Sequence, residues 1–214
     1  MAGLLNYYLC FYNLFQAFGW SLSLLRILSD FFSTKSVNGA YSSSGGIICF
    51  VQSLAFMEVI HGATGIVSSG ALLPFLQWSG RTHYVLAIVR GIPEIQQSPS
   101  VFITFLSWSL SEIIRYSFYA LNCMGTSPKW ITFIRYNAFI VLYPIGLSGE
   151  MWLMYKALPI VKDRNLYTNM LPFSYYNFLA ALLFCYPFLW MKLYLYLFKQ
   201  RATKLGKQRK KKST

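Results

Sequence analysis

The sequence predicts an all-α membrane protein, built as a bundle of six transmembrane helices. Of its 214 residues, 56% are hydrophobic and only 12% are charged, which is too apolar a balance for an ordinary soluble domain. Six mainly apolar stretches each reach the length of about 20 residues that a helix needs to cross a bilayer. Positive charge is concentrated at one end, because eight of the 19 Lys and Arg residues follow residue 198.

The six predicted spans come from the lengths of the apolar stretches. The third is the least regular, because Arg81 and His83 interrupt it and Pro93 closes it. The connections between spans are short and rich in turn-forming residues, so none is long enough to fold alone. We therefore expect one transmembrane domain, residues 1–198, followed by a basic tail, residues 199–214. The predicted spans are 4–28, 47–67, 71–93, 101–123, 131–158 and 174–198.

The charge distribution predicts the topology. Lys and Arg prefer the cytosolic side of a membrane, which places the basic tail in the cytosol. An even number of spans then brings the N-terminus to the same side. The first apolar stretch has no basic segment before it and exceeds signal-peptide length, so we expect it to be retained. A tail beside anionic lipid headgroups explains the net charge of +13 better than a nucleic-acid partner does.

The last four residues resemble an address signal. Lys211 and Lys212, followed by Ser213 and Thr214, fit the C-terminal dilysine pattern that returns membrane proteins to the endoplasmic reticulum. The alternative is an ordinary basic patch at the membrane surface. The position at the very terminus favours the address signal and hence the endoplasmic reticulum membrane.

Tyr143 and Glu150 are the first candidates for a functional site. A charged acid at the bilayer centre costs roughly 2.5 to 3.5 kcal/mol on insertion scales, so such acids face a protein interior or a water-filled cavity. Seven residues are nearly two helical turns, which returns Glu150 to the face of Tyr143 about 10 to 11 Å further along a regular helix. Pro144 favours a kink that would shorten this distance, and Gly146 and Gly149 permit close helix packing. We predict that both side chains line one pocket.

Two further polar pairs occur at helical spacing. Glu58 and His61 are three residues apart on the second span, and Glu112 and Arg115 are three apart on the fourth, so each pair shares a helix face. We expect Arg115 and Arg135 to pair with Glu112 or Glu58. Contact with substrate is the alternative for these arginines. For His61 we expect a hydrogen bond to its neighbours rather than a role as general base.

The cysteines do not predict a metal or redox site. Cys10, Cys49, Cys123 and Cys185 are scattered through apolar segments without paired spacing, so they are typical of small core residues. We therefore predict neither a metal nor another cofactor.

Several of these segments together resemble the very-long-chain 3-hydroxyacyl-CoA dehydratases, a family also called protein tyrosine phosphatase-like. The resemblance extends from the first span to the sixth. It implies a six-helix enzyme of the endoplasmic reticulum that converts a 3-hydroxyacyl-CoA to a trans-2-enoyl-CoA, the third step of very-long-chain fatty acid elongation. The family's catalytic tyrosine and glutamate match Tyr143 and Glu150. The segments are Tyr8–Asn13, Glu58–Gly62, Ser111–Phe118, Arg135–Asn137, Leu142–Glu150 and Tyr155–Pro159.

The chemistry of dehydration suits these two residue types. A base must take the proton next to the thioester while a donor protonates the departing hydroxide. Two side chains suffice, without metal or nucleotide. Which of Tyr143 and Glu150 takes the proton stays open at this point. We also expect a narrow apolar tunnel for the acyl chain that opens towards the cytosol. The resemblance further implies contacts with the condensing enzyme and the ketoacyl and enoyl reductases of elongation.

The sequence also bears on three other functions. A cysteine-dependent phosphatase needs an arginine to close its phosphate loop, but the stretch Cys123–Lys129 ends in lysine. A transporter would favour broken helices in both halves of the chain, and only one span is interrupted in that way. A catalytically idle scaffold or regulatory subunit of the elongation complex remains the main alternative, because Ile160–Phe173 is shorter than is usual for the family. An acid retained at membrane depth favours the enzyme.

Overall fold

In the computed structural model, every regular element of the described residues, 2–68, 70–126, 128–169 and 171–210, is helical. The α4 helix continues directly into a π-helical segment, His83–Arg90, and a short 3-10 turn, Pro93–Ile95, precedes α5. The predicted all-α class is therefore confirmed. The helices are α1 Ala2–Thr34, α2 Ala40–Leu54, α3 Phe56–Ala63, α4 Leu72–Thr82, α5 Pro99–Cys123, α6 Lys129–Arg135, α7 Phe139–Asp163 and α8 Tyr175–Lys210.

Each predicted span coincides with helical structure, but two of them are divided. The second is split at Ala55 into α2 and α3, and the fifth is split between Arg135 and Phe139 into α6 and α7. The irregular third span consists of α4 and the π-helical segment. Within the described residues, three stretches are long and apolar enough to cross a membrane, namely Ala40–Ala63, Lys129–Asp163 and Tyr175–Lys204. The protein thus has several membrane-spanning helices, and the count of six stays a prediction.

The α5 helix lies at the centre of the bundle. It packs against α1 on one side and α7 on the other, while α2 packs on α1 and α8 packs on α7. Buried serine and threonine residues follow the length of α5, and such small residues let helices approach closely within a membrane. The buried residues of this kind on α5 are Ser100, Thr104, Ser107 and Ser109.

One glycine on α7 is required by the close contact with α5. A Cβ atom added to Gly149 would lie 2.5 Å from the Thr104 hydroxyl oxygen, which is far inside van der Waals contact. The same atom added to Gly146 would lie 3.6 Å from the Ser107 Cβ, an ordinary contact distance. Gly149 therefore lets α7 approach α5 directly beside Glu150.

The α7 and α8 helices are antiparallel neighbours. The Tyr194 hydroxyl donates a hydrogen bond to the Ile140 carbonyl oxygen at 3.0 Å. Further along, the Arg201 guanidinium donates to the Asn137 side-chain oxygen at 2.9 and 3.0 Å. At the other end of the helix pair, where α7 ends and α8 begins, the Lys162 ammonium lies 5.7 Å from the centre of the Tyr176 ring. These contacts fix the register between the two helices over most of their shared length.

Candidate active site

Glu150 is buried where α5, α7 and α8 meet. Only 7% of its surface is exposed. The Trp108 indole N–H on α5 donates to Glu150 Oε1 at 2.7 Å, and the Tyr186 hydroxyl on α8 donates to Oε2. Within the described residues, Glu150 forms no ion pair. Its two oxygens are thus held by two neutral donors from two different helices.

Tyr143 lies on the same helix as Glu150, two turns towards its N-terminus. Its ring is half-buried and contacts Phe139 edge-on, with ring centres 6.1 Å apart. The α7 helix includes Pro144. Two residues seven positions apart on a regular helix are about 10 Å apart along its axis, and the shortening by a kink at Pro144 stays a prediction. Among the described residues, the Tyr143 hydroxyl has no hydrogen-bond partner.

Trp108 and Tyr186 were not identified from the sequence as site residues. In the sequence, aromatic residues outside the motifs are typical of packing or interface positions. The short connection between α7 and α8 predicts antiparallel neighbours, but it does not predict their register, which is what brings Tyr186 opposite Glu150. Trp108 lies four residues before Glu112 on α5, and this spacing was the one available sign that it faces the polar interior.

A second polar group forms an ion cluster made of Glu58, Arg81, Glu112 and Arg115. The Arg115 guanidinium binds both oxygens of Glu58 at 2.7 and 2.9 Å, and its Nε donates to Glu112 at 2.6 Å. The other oxygen of Glu112 accepts from Arg81. The Tyr116 hydroxyl also donates to Glu58. Two arginines and two glutamates thus balance each other in charge, and Arg115 pairs with both acids.

The ion cluster borders a small cavity. Its volume is about 20 Å³, enough for about one water molecule. All four residues of the cluster line it, whereas neither Tyr143 nor Glu150 does. This cavity is therefore not the predicted acyl tunnel, which stays a prediction.

Arg81 connects the ion cluster to Glu150. Its guanidinium carbon lies 4.1 Å from the centre of the Trp108 ring, within the range of a cation–π contact. The Tyr84 ring packs against the same indole, with ring centres 5.3 Å apart. The indole that donates to Glu150 therefore packs against two side chains, and one of them, Arg81, pairs with Glu112.

The other predicted candidates lie apart from Glu150. His61 Nε2 is 2.8 Å from the Tyr8 hydroxyl oxygen, and the rings of Tyr8 and Tyr12 meet the imidazole edge-on. Arg135 ends α6 with its guanidinium carbon 6.0 Å from the Tyr119 ring centre, and it makes no ion pair within the described residues. Over the same ranges, no group of three or more His, Cys, Asp or Glu side chains comes together as metal ligands. Lys211 and Lys212 lie outside the described residues.

Comparison with known proteins gives one consistent family. Residues 52–207 match the family model described as protein tyrosine phosphatase-like protein, PTPLA. Human very-long-chain (3R)-3-hydroxyacyl-CoA dehydratase 2 is 34% identical over 91% of this chain and 79% of its own. Mouse dehydratase 1 is 35% identical over 91% of this chain and 71% of its own.

The similarity also extends to plants. The rice dehydratase PASTICCINO 2A is 34% identical over 82% of this chain and 81% of its own. No solved structure matches the chain significantly. Because the family model covers most of the chain and these relatives align along nearly all of it, this protein belongs to the protein tyrosine phosphatase-like family.

Proposed function

We propose that this protein is a 3-hydroxyacyl-CoA dehydratase, which removes water from a 3-hydroxyacyl-CoA to give a trans-2-enoyl-CoA in very-long-chain fatty acid elongation. The observation that carries the proposal is Glu150, a buried acid held by neutral donors in a family whose relatives bear dehydratase names. An acid placed in this way at membrane depth is expensive for a scaffold that performs no chemistry.

The hydrogen bonds support Glu150 as the general base. The Trp108 indole is able only to donate and the Tyr186 hydroxyl is able to donate, so both contacts are compatible with an ionised carboxylate, which only accepts. In this mechanism Glu150 takes the proton from the carbon next to the thioester. The electrons of that C–H bond form the new double bond as the bond to the 3-hydroxyl breaks.

Tyr143 is proposed as the proton donor to the departing hydroxyl. A partner-free phenol among the described residues leaves its proton available for substrate, which fits this role. The donated proton turns hydroxide into water, and exchange with solvent then returns both side chains to their starting states. The account requires the C2–C3 unit of the substrate to lie between the two side chains.

The cellular setting is part of the same proposal. We place the protein in the endoplasmic reticulum membrane with both termini in the cytosol, beside the condensing enzyme and the two reductases of elongation.

Arg135 is the proposed contact for the phosphates of CoA. It forms no ion pair within the described residues, and it lies just before the end of α7 that carries Tyr143.

Turnover of the purified protein tests the proposal. The parent protein should form trans-2-enoyl-CoA from a graded series of 3-hydroxyacyl-CoA chain lengths, and both Tyr143→Phe and Glu150→Gln should lower kcat about 100-fold or more. Tyr155→Phe is the control, because Tyr155 lies on the same helix but is 69% exposed. An inactive parent would favour the scaffold function, and full activity in both variants would remove the catalytic assignment.

A further inference from the structure

We propose that Tyr186 is a positioning residue that, with Trp108, fixes the Glu150 carboxylate for proton abstraction. The inference rests on the proposed dehydratase function and adds a residue to it. Tyr186 does not belong to the Tyr143–Glu150 pair that the sequence predicts. It is nevertheless the tyrosine whose hydroxyl reaches the acid.

The two donors hold the carboxylate from opposite neighbours of α7. Trp108 lies on α5 and binds Oε1, whereas Tyr186 lies on α8 and binds Oε2. A carboxylate that accepts a hydrogen bond at each oxygen no longer rotates freely about its Cγ–Cδ bond. An ionised carboxylate has about four acceptor positions, so two of them remain for a substrate proton. Preorganisation of this kind lowers the barrier of a proton transfer without any contact to substrate.

Trp108, the donor on α5, is held in place by its packing. The Trp108 indole is 4% exposed and is packed against Arg81 and Tyr84. Arg81 is in turn held by Glu112 in the ion cluster. Trp108 alone, however, fixes only one oxygen, so the orientation of the carboxylate depends on a second donor.

Tyr186 on α8 is that second donor, and other contacts fix the register of α8 relative to α7. The Arg201 contact with Asn137 lies about four turns beyond Tyr186, and the Tyr176 contact with Lys162 lies nearly three turns before it. Tyr186 is thereby held opposite Glu150 by contacts that do not involve the acid. The close approach of α7 to α5 at Gly149 keeps the acid within reach of Trp108.

Tyr194 offers a matched control within the same helix pair. Its hydroxyl also joins α8 to α7, is also partly buried, and donates to a backbone carbonyl instead of to Glu150. Phenylalanine in either position keeps the ring and removes one hydroxyl. The two variants therefore differ in whether the lost hydrogen bond ends on the acid.

The experiment is steady-state kinetics and thermal unfolding of the full-length protein in detergent, with a 3-hydroxyacyl-CoA that the parent turns over. Tyr186→Phe should lower kcat about 10- to 100-fold, with KM within about twofold of the parent. Tyr194→Phe should leave both constants within about twofold. Trp108→Phe, which removes the other donor, should lower kcat in the same way as Tyr186→Phe.

Each outcome decides the inference. Parental kcat in Tyr186→Phe overturns it, and so does an equal fall in Tyr186→Phe and Tyr194→Phe, which would indicate a general helix contact. A rise in KM at unchanged kcat would place Tyr186 in substrate binding instead. If the parent protein is inactive, the proposed function fails and this inference falls with it, whereas an active parent with a fully active Tyr186→Phe overturns the positioning role alone.

Discussion

The bundle contains two kinds of buried or partly buried acid, and they differ in what neutralises their charge. Glu58 and Glu112 are matched by Arg81 and Arg115, so each of their charges has a partner of opposite sign. Glu150 is held by an indole N–H and a phenol hydroxyl, and it has no ion pair among the described residues. If an acid that is paired with arginine is protonated, the arginine charge is left buried without a partner. Protonation of Glu150 leaves no such unpaired charge. The difference separates acids that hold the fold from an acid suited to proton transfer.

The two regions are nevertheless joined through one side chain. Arg81 pairs with Glu112 and packs on the indole that donates to Glu150. The ion cluster is therefore placed to stabilise the bundle and also to fix one of the two donors. A change in the cluster is expected to lower stability first and turnover second.

The largest expected effect on stability comes from Arg115→Met. It removes three hydrogen bonds to the buried carboxylate of Glu112 and the partly buried carboxylate of Glu58, and leaves both acids without sufficient positive charge. Breaking a buried ion pair from one side typically costs about 3 to 5 kcal/mol. Thermal unfolding in detergent should show a strongly lowered Tm, whereas Arg135→Met, which removes an arginine without an ion pair in the described part of the chain, should stay near the parent. Equal Tm values for the two variants would contradict the structural role of the cluster.

The sequence was sufficient to predict this cluster only in part. Glu112 and Arg115 are three residues apart, so their pairing follows from local helix geometry. From the sequence, Arg81 indicates only an interruption of the third span. Its pairing with Glu112 depends on tertiary packing that no local spacing reveals.

The fold likewise has features that local sequence predicts and features that depend on tertiary packing. Composition and the lengths of the apolar stretches correctly predicted helices throughout. They did not predict the break at Ala55 or the π-helical segment His83–Arg90, because both keep the apolar character of the surrounding span. For the site, the face shared by Tyr143 and Glu150 follows from helical periodicity. The hydrogen bond from Tyr186 depends on the register of two helices, which periodicity does not determine.

A smaller effect is expected where α7 approaches α5. Gly149→Ala places a methyl group against the Thr104 hydroxyl, so α7 must shift at the residue next to Glu150. Overpacking of this kind costs about 1 to 3 kcal/mol, and we expect kcat to fall together with Tm. Gly146→Ala is the matched control, because its methyl group would make only ordinary contacts. If both variants behaved like the parent, the close approach at Gly149 would not be what holds Glu150 in place.

The smallest effect is expected at the Tyr8–His61 contact. Tyr8→Phe removes one hydrogen bond to a buried imidazole, which is worth about 1 kcal/mol. We expect a slightly lowered Tm and parental turnover, since His61 is proposed as a structural residue. Tyr7→Phe, whose side chain is 77% exposed, serves as the control for losing a tyrosine hydroxyl nearby. A large fall in kcat in Tyr8→Phe alone would show that the His61 region takes part in the reaction.

The most direct test compares Glu150→Gln with Glu112→Gln, with dehydratase turnover and thermal unfolding measured on the same purified preparations. Both substitutions keep the shape of the side chain and remove one buried negative charge. We predict that Glu150→Gln loses turnover about 100-fold or more while its Tm stays close to the parent, and that Glu112→Gln lowers Tm strongly because Arg81 loses its partner. Substantial turnover in Glu150→Gln, or an equal loss of Tm in both variants, would contradict the division between a structural acid and a catalytic one.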